Sequence, residues 1–158
     1  HRTFQPQDLD FFVAALQDLY LQDGGLKGAF QGRDGWEAIR NFRERFLQYP
    51  HPDRSEKHIS NPDRNSACKR LHMFLRWMVR PASGGVDLGI WDQLAPADLS
   101  IPLDVHSGRV ARSLGLLHRK ASDGKAVREL DLALRRLNPH DPVRYDFALF
   151  GLGIFEGF

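Results

Sequence analysis

Two side chains in this sequence, the amine of Lys69 and the carboxylate of Asp104, lie in settings that suit chemistry. Asp104 follows Pro102, which favours an extended backbone, and it precedes residues at helical spacing, so it is positioned to begin a helix. A carboxylate there accepts hydrogen bonds from free backbone N–H groups and is held ionised by the helix dipole. The same position suits a carboxylate that faces a cationic intermediate. A helix cap is the simpler interpretation of the residue type alone, and both interpretations stay open here.

Lys69 is predicted to lie in the first turn, or just past it, of a helix that runs from about Ser66 to Arg80, with Asn65 as its N-cap. The dipole of a helix does not favour a cation in its first turn. Such local misfits concentrate at functional sites, and an amine beside a carboxylate is an arrangement for nucleophilic catalysis. The alternative is a lysine on a solvated helical face.

The two residues can meet if the chain reverses direction between them. The Lys69 helix carries the chain away by about 16 Å. A connection punctuated by Pro81, Gly84 and Gly85 can then bring it back. We therefore expect the start of the Asp104 helix to lie beside the start of the Lys69 helix.

The bulk composition is that of an ordinary globular chain, with 158 residues, 42% hydrophobic, 27% charged and a net charge of +2. Its basic residues are clustered. Residues 54–80 hold seven Lys or Arg against two acids, and residues 105–136 hold eight against three. A basic face of this kind indicates a phosphate-bearing partner, although a solvated helical surface would show the same charges.

The single cysteine, Cys68, excludes a disulfide within the chain and any cysteine-based zinc or iron–sulfur site. No apolar run approaches the roughly 20 residues that span a bilayer. The seven histidines are scattered, so we expect no metal and no cofactor. We expect a monomer in the bacterial cytoplasm that associates with the nucleoid and has no membrane partner. Because the chain starts at His1 without an initiator methionine, we also expect it to be the C-terminal part of a longer protein.

Apolar residues recur at helical spacing along the chain, and no segment has the alternation of a hairpin or a βαβ unit. We predict an all-α fold: one compact domain over residues 1–158 that bundles six or seven helices. The first helix opens at Pro6, the second begins near Trp36, the Asp104 helix covers Val105–Leu114, and Asp123 caps the next. The predicted apolar face of the first helix is Leu9, Phe12, Val13, Leu16, Leu19 and Tyr20.

Three further predictions concern burial. The helix of Lys69 is expected to bury Leu71, Phe74, Leu75 and Met78 and to leave its arginines outside. The segment 86–94 is expected to form a short helix or turn that buries Leu88, Ile90 and Trp91. The last helix, Val143 to about Phe155, is nearly all apolar and is expected to lie in the centre of the domain.

The stretch Leu103-Asp104-Val105-His106-Ser107-Gly108-Arg109-Val110-Ala111-Arg112-Ser113-Leu114-Gly115 resembles the signature of helix-hairpin-helix DNA glycosylases. In the endonuclease III and 8-oxoguanine glycosylase branches it reads Val-Asp-x-His-x-x-Arg-hydrophobic-x-x-Arg-Leu-Gly. Here Leu103 replaces the Val, and Arg112 lies one place before the second Arg. Residues 57–60, 68–80 and 145–153 are similar to an uncharacterised bacterial family that resembles the archaeal 8-oxoguanine glycosylases.

The resemblance implies a DNA repair enzyme whose partner is double-stranded DNA with a damaged, 8-oxoguanine-like base flipped from the helix. Lys69 would attack the sugar, expel the base and form a Schiff base, and β-elimination would then nick the strand. Asp104 would stabilise the cationic sugar. The four-cysteine iron–sulfur motif of the endonuclease III branch is absent.

The resemblance and the basic clusters together indicate side chains that would contact DNA. The glycosylase hairpin normally carries Gly-hydrophobic-Gly before the lysine, and residues 61–66 have no glycine, so side chains are expected to take over this phosphate grip. The expected DNA contacts are Lys57, His58, Arg64, Asn65, Ser66, Arg70, His106, Arg109 and Arg112.

Two other functions fit the same sequence. The first is a non-catalytic helical DNA-binding module that keeps the glycosylase fold. The second is a protein–protein scaffold, which would show no affinity for DNA at low salt.

Overall fold

Aspartate caps set where several helices of this protein begin. The carboxylate of Asp34 accepts a hydrogen bond from the Glu37 amide, and Asp104 and Asp123 act in the same way on the helices that follow them. The computed structural model describes residues 3–22 and 24–157, and within them it contains helices and no strands, which confirms the all-α prediction. The start of the chain at His1 lies outside the described residues. The α-helices are α1 Pro6–Leu21, α2 Gly25–Ala29, α3 Gly35–Phe46, α4 Lys69–Val79, α5 Val105–Ser113, α6 Gly124–Leu137 and α7 Tyr145–Phe155.

Short 3-10 turns occupy much of the connecting chain. Two of them, Asp53–His58 and Pro62–Arg64, lie in the Pro-rich connection between α3 and α4. The other three cover Ala82–Gly84, Pro96–Asp98 and Pro142–Arg144. None of the helices in the described part of the chain is long and apolar enough to cross a membrane.

The core is formed mainly by α1, α3, α4 and α6, and segment 99–103, α5 and α7 add buried residues to it. Its largest fully buried apolar side chains are Leu19, Phe30, Ile39, Phe46, Leu75, Leu99, Ile101, Leu117, Leu130 and Leu134. Burial of a Leu- or Phe-sized side chain contributes about 1.5–3 kcal/mol, so these residues supply much of the energy that fixes the helices.

Helix α1 is rotated relative to the predicted face. Leu19 is buried as predicted, and Phe12 and Leu16 pack against the core, but Leu9 and Val13 are exposed. Phe11 and Ala15, outside the predicted face, are buried. The buried face also carries Asp8, whose carboxylate accepts hydrogen bonds from Arg54 and Ser55. Because these long-range partners fix the rotation of α1, the apolar spacing alone predicted only part of the buried face. Tyr20, also on the predicted face, is exposed as well.

Helix α4 begins at Lys69, three residues later than predicted, and Asn65 does not cap it. Asn65 and Cys68 both have left-handed backbones, with φ of 59° and 46°, and together they turn the chain into the helix. The Asn65 carbonyl accepts from the Gly124 amide at 2.9 Å, and its side-chain oxygen accepts from the Lys125 amide at 3.0 Å. Asn65 therefore supports the start of α6.

The buried face of α4 is also shifted from the prediction. Leu75 is buried as predicted, but Arg76 is buried too, because Asp87 and Asp146 form ion pairs with its guanidinium. Leu71, Phe74 and Met78 are only partly buried.

The segment 86–94 does not form the predicted helix. Leu88 and Ile90 are exposed, while Asp87 is buried between Arg76 and Arg80. Trp91 is partly buried and packs on the ring of Phe74. The ion pairs of Asp87 and the packing of Trp91 and Leu94 against the core together hold this segment in place.

Helix α7 lies at the edge of the structure and not in its centre, which corrects the prediction. Leu149 and Gly153 are buried, whereas Phe147, Phe150 and Ile154 are about two-fifths exposed. The helix packs on α5, where a Cβ atom added to Gly153 would lie 3.0 Å from the Cβ of His106. The approach of the two helices therefore depends on the missing side chain of Gly153.

Replacing Gly153 with alanine should destabilise the protein because the new methyl group would collide with His106. We expect a loss of about 1–3 kcal/mol in the free energy of unfolding, measured by urea denaturation. Gly151→Ala in the same helix is the control, since a Cβ there meets no atom within 4 Å. It should leave stability unchanged or raise it by up to about 1 kcal/mol. Equal effects of the two variants would contradict this packing of α5 and α7.

Candidate active site

The structure brings Lys69 and Asp104 together. The Lys69 Nζ lies 3.3 Å from Asp104 Oδ2, although 35 residues separate the two in sequence. Lys69 is the first residue of α4, and Asp104 is the N-cap of α5. The two helices thus start side by side, as the reversal of the chain predicts.

The two carboxylate oxygens of Asp104 have different partners. Oδ1 accepts from the Ser107 amide at 2.8 Å and from the Ser107 hydroxyl at 3.1 Å, while Oδ2 faces Lys69. The Asp104 amide in turn donates to the Ser107 hydroxyl at 3.0 Å. This reciprocal cap fixes the rotamer of the carboxylate.

The same contacts keep Asp104 ionised. Burial alone would raise its pKa, because the side chain is only 11% exposed. The Ser107 amide, the positive charge of Lys69 and the Ser107 hydroxyl outweigh burial and hold the pKa of Asp104 below its usual value. A carboxylate of this kind is suited to stabilising a positive charge and is a poor acceptor of protons.

Lys69 is open to solvent. Its side chain is 41% exposed, and among the described residues Asp104 is its one hydrogen-bonding partner. An ammonium group has three donors, so two of them remain directed away from this pair. An external molecule can therefore approach the amine.

Asp146 is a third charged residue beside this pair, and sequence reasoning missed it. It lies in the first turn of α7, and it forms an ion pair with Arg76 of α4. Burial raises the pKa of Asp146 to about 6 despite the attraction of Arg76, and the negative charge of nearby Asp104 adds to the rise. The available signal was a lone acid within an otherwise apolar helix.

Arg76 belongs to a mostly buried cluster of ion pairs that supports the helices of the site. Asp87 pairs with both Arg76 and Arg80, and Arg80 also pairs with Asp141 at 2.8 Å. The guanidinium of Arg76 lies 4.5 Å from the ring centre of Phe147. These contacts connect α4, the segment 86–94 and α7, so the helices around Lys69 have little freedom to shift.

Four of the expected DNA contacts lie at the surface near the start of α4. Lys57, Arg64 and Arg70 are exposed, and Ser66 is partly exposed. Lys57, Arg64 and Ser66 line a surface cleft of about 600 Å³. Within residues 3–22 and 24–157, the side chains of Lys57, Arg64 and Arg70 form no hydrogen bond or ion pair, so they can meet a phosphate, whereas the Ser66 hydroxyl accepts from the Cys68 amide at 3.3 Å.

The other expected DNA contacts are engaged within the fold, and Asn65 is committed to α6 as described above. His58 lies 3.2 Å from the Asp8 carboxylate. Arg109 donates to the Gly153 carbonyl at 2.7 Å, and Arg112 donates to the Arg119 carbonyl at 2.8 Å. His106 packs against α7, where its Nδ1 is buried without a hydrogen-bonding partner among the described residues. These side chains position the helices around the site.

A comparison with models of known protein families finds a match. A family model described as "protein of unknown function (DUF2400)" matches residues 1–155. The chain belongs to this family. No curated protein and no solved structure matches it. Within residues 3–22 and 24–157, no three His, Cys, Asp or Glu side chains are grouped closely enough to hold a metal ion.

The stability of the protein should depend on Asp104 and hardly on Lys69. Lys69→Met should change the free energy of unfolding by less than about 1 kcal/mol, because partly exposed ion pairs contribute little. Asp104→Ala should cost about 0.5–2 kcal/mol through loss of the cap, and Asp34→Ala, which removes the cap of α3, is the matched control. Urea denaturation measures all three. A cost near 3 kcal/mol for Lys69→Met would show that the lysine is structural.

Proposed function

We propose that this protein is a DNA repair glycosylase with lyase activity that excises a damaged base through a Schiff base on Lys69. The observation that carries the proposal is the solvent-accessible Lys69 amine held 3.3 Å from a capped, ionised Asp104. The resemblance of the α5 segment to the glycosylase signature supports the same assignment.

The reaction uses the two residues in different ways. The unprotonated Lys69 Nζ attacks the sugar C1′, and the bond from C1′ to the base breaks with its electron pair going to the base. Positive charge develops on the sugar during this step. Asp104 faces that charge as a carboxylate that is already ionised and oriented, so it stabilises the charge without reorganising.

The imine that follows joins Lys69 to the opened sugar. It activates the neighbouring carbon for β-elimination, which breaks the strand on the 3′ side of the sugar. An oxidised purine such as 8-oxoguanine is the substrate we favour, because the resemblance leads to the 8-oxoguanine branch. A damaged base is also less costly to flip out of the helix than an intact one.

The exposed basic residues near the start of α4 support the proposal that the protein contacts the DNA backbone there. Lys57, Arg64 and Arg70 lie close in sequence to Lys69 and carry exposed positive charges. Phosphate contacts of this kind position a protein on DNA without reading its sequence. The same surface supports the second candidate, a non-catalytic DNA-binding module, because it does not require the amine.

Borohydride should trap the protein covalently on duplex DNA that contains 8-oxoguanine or an abasic site, because it reduces the imine on Lys69. Lys69→Ala should form no adduct while still binding the duplex. Asp104→Asn should slow adduct formation by about 100–1,000-fold, since it removes a preorganised charge. The measurement is gel analysis of the full-length protein across a panel of lesions, with Lys27→Ala, which removes a lysine paired with Asp92, as a control that keeps the amine. Trapping that is equal in wild type and Lys69→Ala would refute the proposal, and duplex binding without any adduct would favour the binding module.

Salt dependence should identify the residues that contact phosphate. Each of Lys57→Ala, Arg64→Ala and Arg70→Ala should reduce the slope of log K against log salt by about 0.9 in magnitude. Lys27→Ala is the control, because Lys27 lies in α2 and pairs with Asp92. Fluorescence anisotropy at several salt concentrations measures the slopes. Unchanged slopes in all three variants would place the DNA on another face.

A further inference from the structure

Two cavities adjoin along the connection between α3 and α4, and Ile59 and Ser60 line both of them. The first is the surface cleft of about 600 Å³ that Lys57 lines, which we call the basic cleft. The second, which we call the aromatic pocket, has a volume of about 250 Å³. Within the part of the chain that the structure describes, neither Lys69 nor Asp104 lines either cavity. The two cavities are therefore distinct from the candidate active site.

The aromatic pocket is formed mainly by apolar side chains of α1, α3 and α4. Its wall is aromatic, because the ring centre of Phe46 lies 5.1 Å from that of Phe12 and 5.4 Å from that of Phe42. Leu16 and Leu71 add to the apolar lining. Sites for small molecules usually enclose about 300–1,000 Å³, so this pocket suits one flat ring system and not a whole ligand.

Two polar groups at the pocket are available to the edge of such a ring. The Ser60 hydroxyl and the Arg70 guanidinium line the pocket, and within residues 3–22 and 24–157 neither forms a hydrogen bond or an ion pair. His58 also lines the pocket but is held 3.2 Å from the Asp8 carboxylate. A nucleobase has a face that stacks on phenylalanine and an edge with acceptors for such donors.

The basic cleft contains two positive charges that the fold does not use. Lys57 and Arg64 line the cleft, are exposed, and have no ion-pair partner among the described residues. Two acids also line the cleft. Glu56 is paired with Arg43, so Asp53 is the acid that remains unpaired in the described part of the chain. Two free cations against one free acid favour an anionic ligand.

The wall between the two cavities is held in place from two helices. Asp8 of α1 accepts hydrogen bonds from Arg54 and Ser55, and Arg43 of α3 forms an ion pair with Glu56 at 2.8 Å. These contacts fix residues 53–60 against α1 and α3. A site with a wall that is already ordered loses little conformational entropy when a ligand binds.

We propose that the aromatic pocket and the basic cleft together bind one nucleotide, with its base in the pocket and its phosphate beside Lys57 and Arg64. A sugar joins the base to the phosphate, and Ser60 lies where this sugar would cross from one cavity to the other. The nucleotide can be free or part of a nucleic-acid strand, because both present the same chemistry. The site does not depend on the reaction of Lys69, so the non-catalytic module would use it equally.

Isothermal titration calorimetry of the full-length protein tests whether both parts of a nucleotide bind. Deoxyadenosine monophosphate should bind saturably. Deoxyadenosine, which lacks the phosphate, and deoxyribose phosphate, which lacks the base, should each bind at least about tenfold more weakly. A single strand of five deoxyadenylates distinguishes the sources, since tighter binding than the mononucleotide indicates a strand and weaker binding indicates a free nucleotide. Phosphotyrosine that binds as tightly as the mononucleotide would overturn the assignment to a nucleotide.

Substitutions should separate the contributions of the two cavities. Ser60→Trp places a large side chain where they meet and should abolish binding of the mononucleotide. Ser60→Ala is the matched control and should weaken binding by less than about tenfold, because it removes only a hydroxyl. Replacing Lys57 and Arg64 together with alanine should weaken mononucleotide binding by about tenfold or more and leave deoxyadenosine binding unchanged. Lys69→Ala should leave both unchanged.

Each outcome decides between the alternatives. If neither the mononucleotide nor the strand binds, this inference is overturned and the assignment of Lys69 is unaffected. Mononucleotide binding that is lost in Lys69→Ala but kept in Ser60→Trp would place the nucleotide at the active site and would also overturn it. If Ser60→Trp fails to fold by circular dichroism, the variant without Lys57 and Arg64 decides, and unchanged mononucleotide binding there contradicts the proposal. Failure of borohydride trapping with retained nucleotide binding would refute the proposed function alone.

Discussion

The carboxylate of Asp104 is the constraint on which the site depends. One of its oxygens caps α5 through Ser107, and the other faces the amine of Lys69. The cap fixes the carboxylate before any substrate arrives, so the charge opposite Lys69 does not have to be organised during a reaction. The ionic cluster around Arg76 then holds α4 and α7 in register with this cap. In the proposed reaction Asp104 would serve both stability and chemistry, and its contribution to stability is the cap of α5.

Local signals predicted where several helices begin, although α4 starts three residues later than predicted, and they predicted the buried faces only in part. Asp104 and Asp123 begin helices as predicted, and Gly115 follows α5 with a φ of 70°, because caps and left-handed turns are decided by neighbouring residues. The rotation of α1 follows instead from Asp8 and its distant partners. The burial of Arg76 likewise depends on acids that lie elsewhere in the chain. Apolar spacing contains no information about such pairs.

The same distinction applies to the site. The hypothesis that the chain reverses between two helix starts led to the expectation that Lys69 and Asp104 meet, and the two lie 3.3 Å apart. It did not predict Asp146, whose partner Arg76 is 70 residues away and was expected on the solvent side of α4. Nor did it show that Arg109 and Arg112 would be engaged by backbone carbonyls. A basic residue near a motif can position a helix as readily as it can contact DNA.

The central claim is that the Lys69 amine becomes covalently joined to the sugar of the excised nucleotide. The most direct measurement is peptide mapping by mass spectrometry of the borohydride-reduced complex between the full-length protein and lesion-containing DNA. The account predicts that the added mass resides on the peptide containing Lys69 and, after fragmentation, on its side chain. Attachment to Lys57, to Lys120 or to the amino terminus, with Lys69 unmodified, would contradict it.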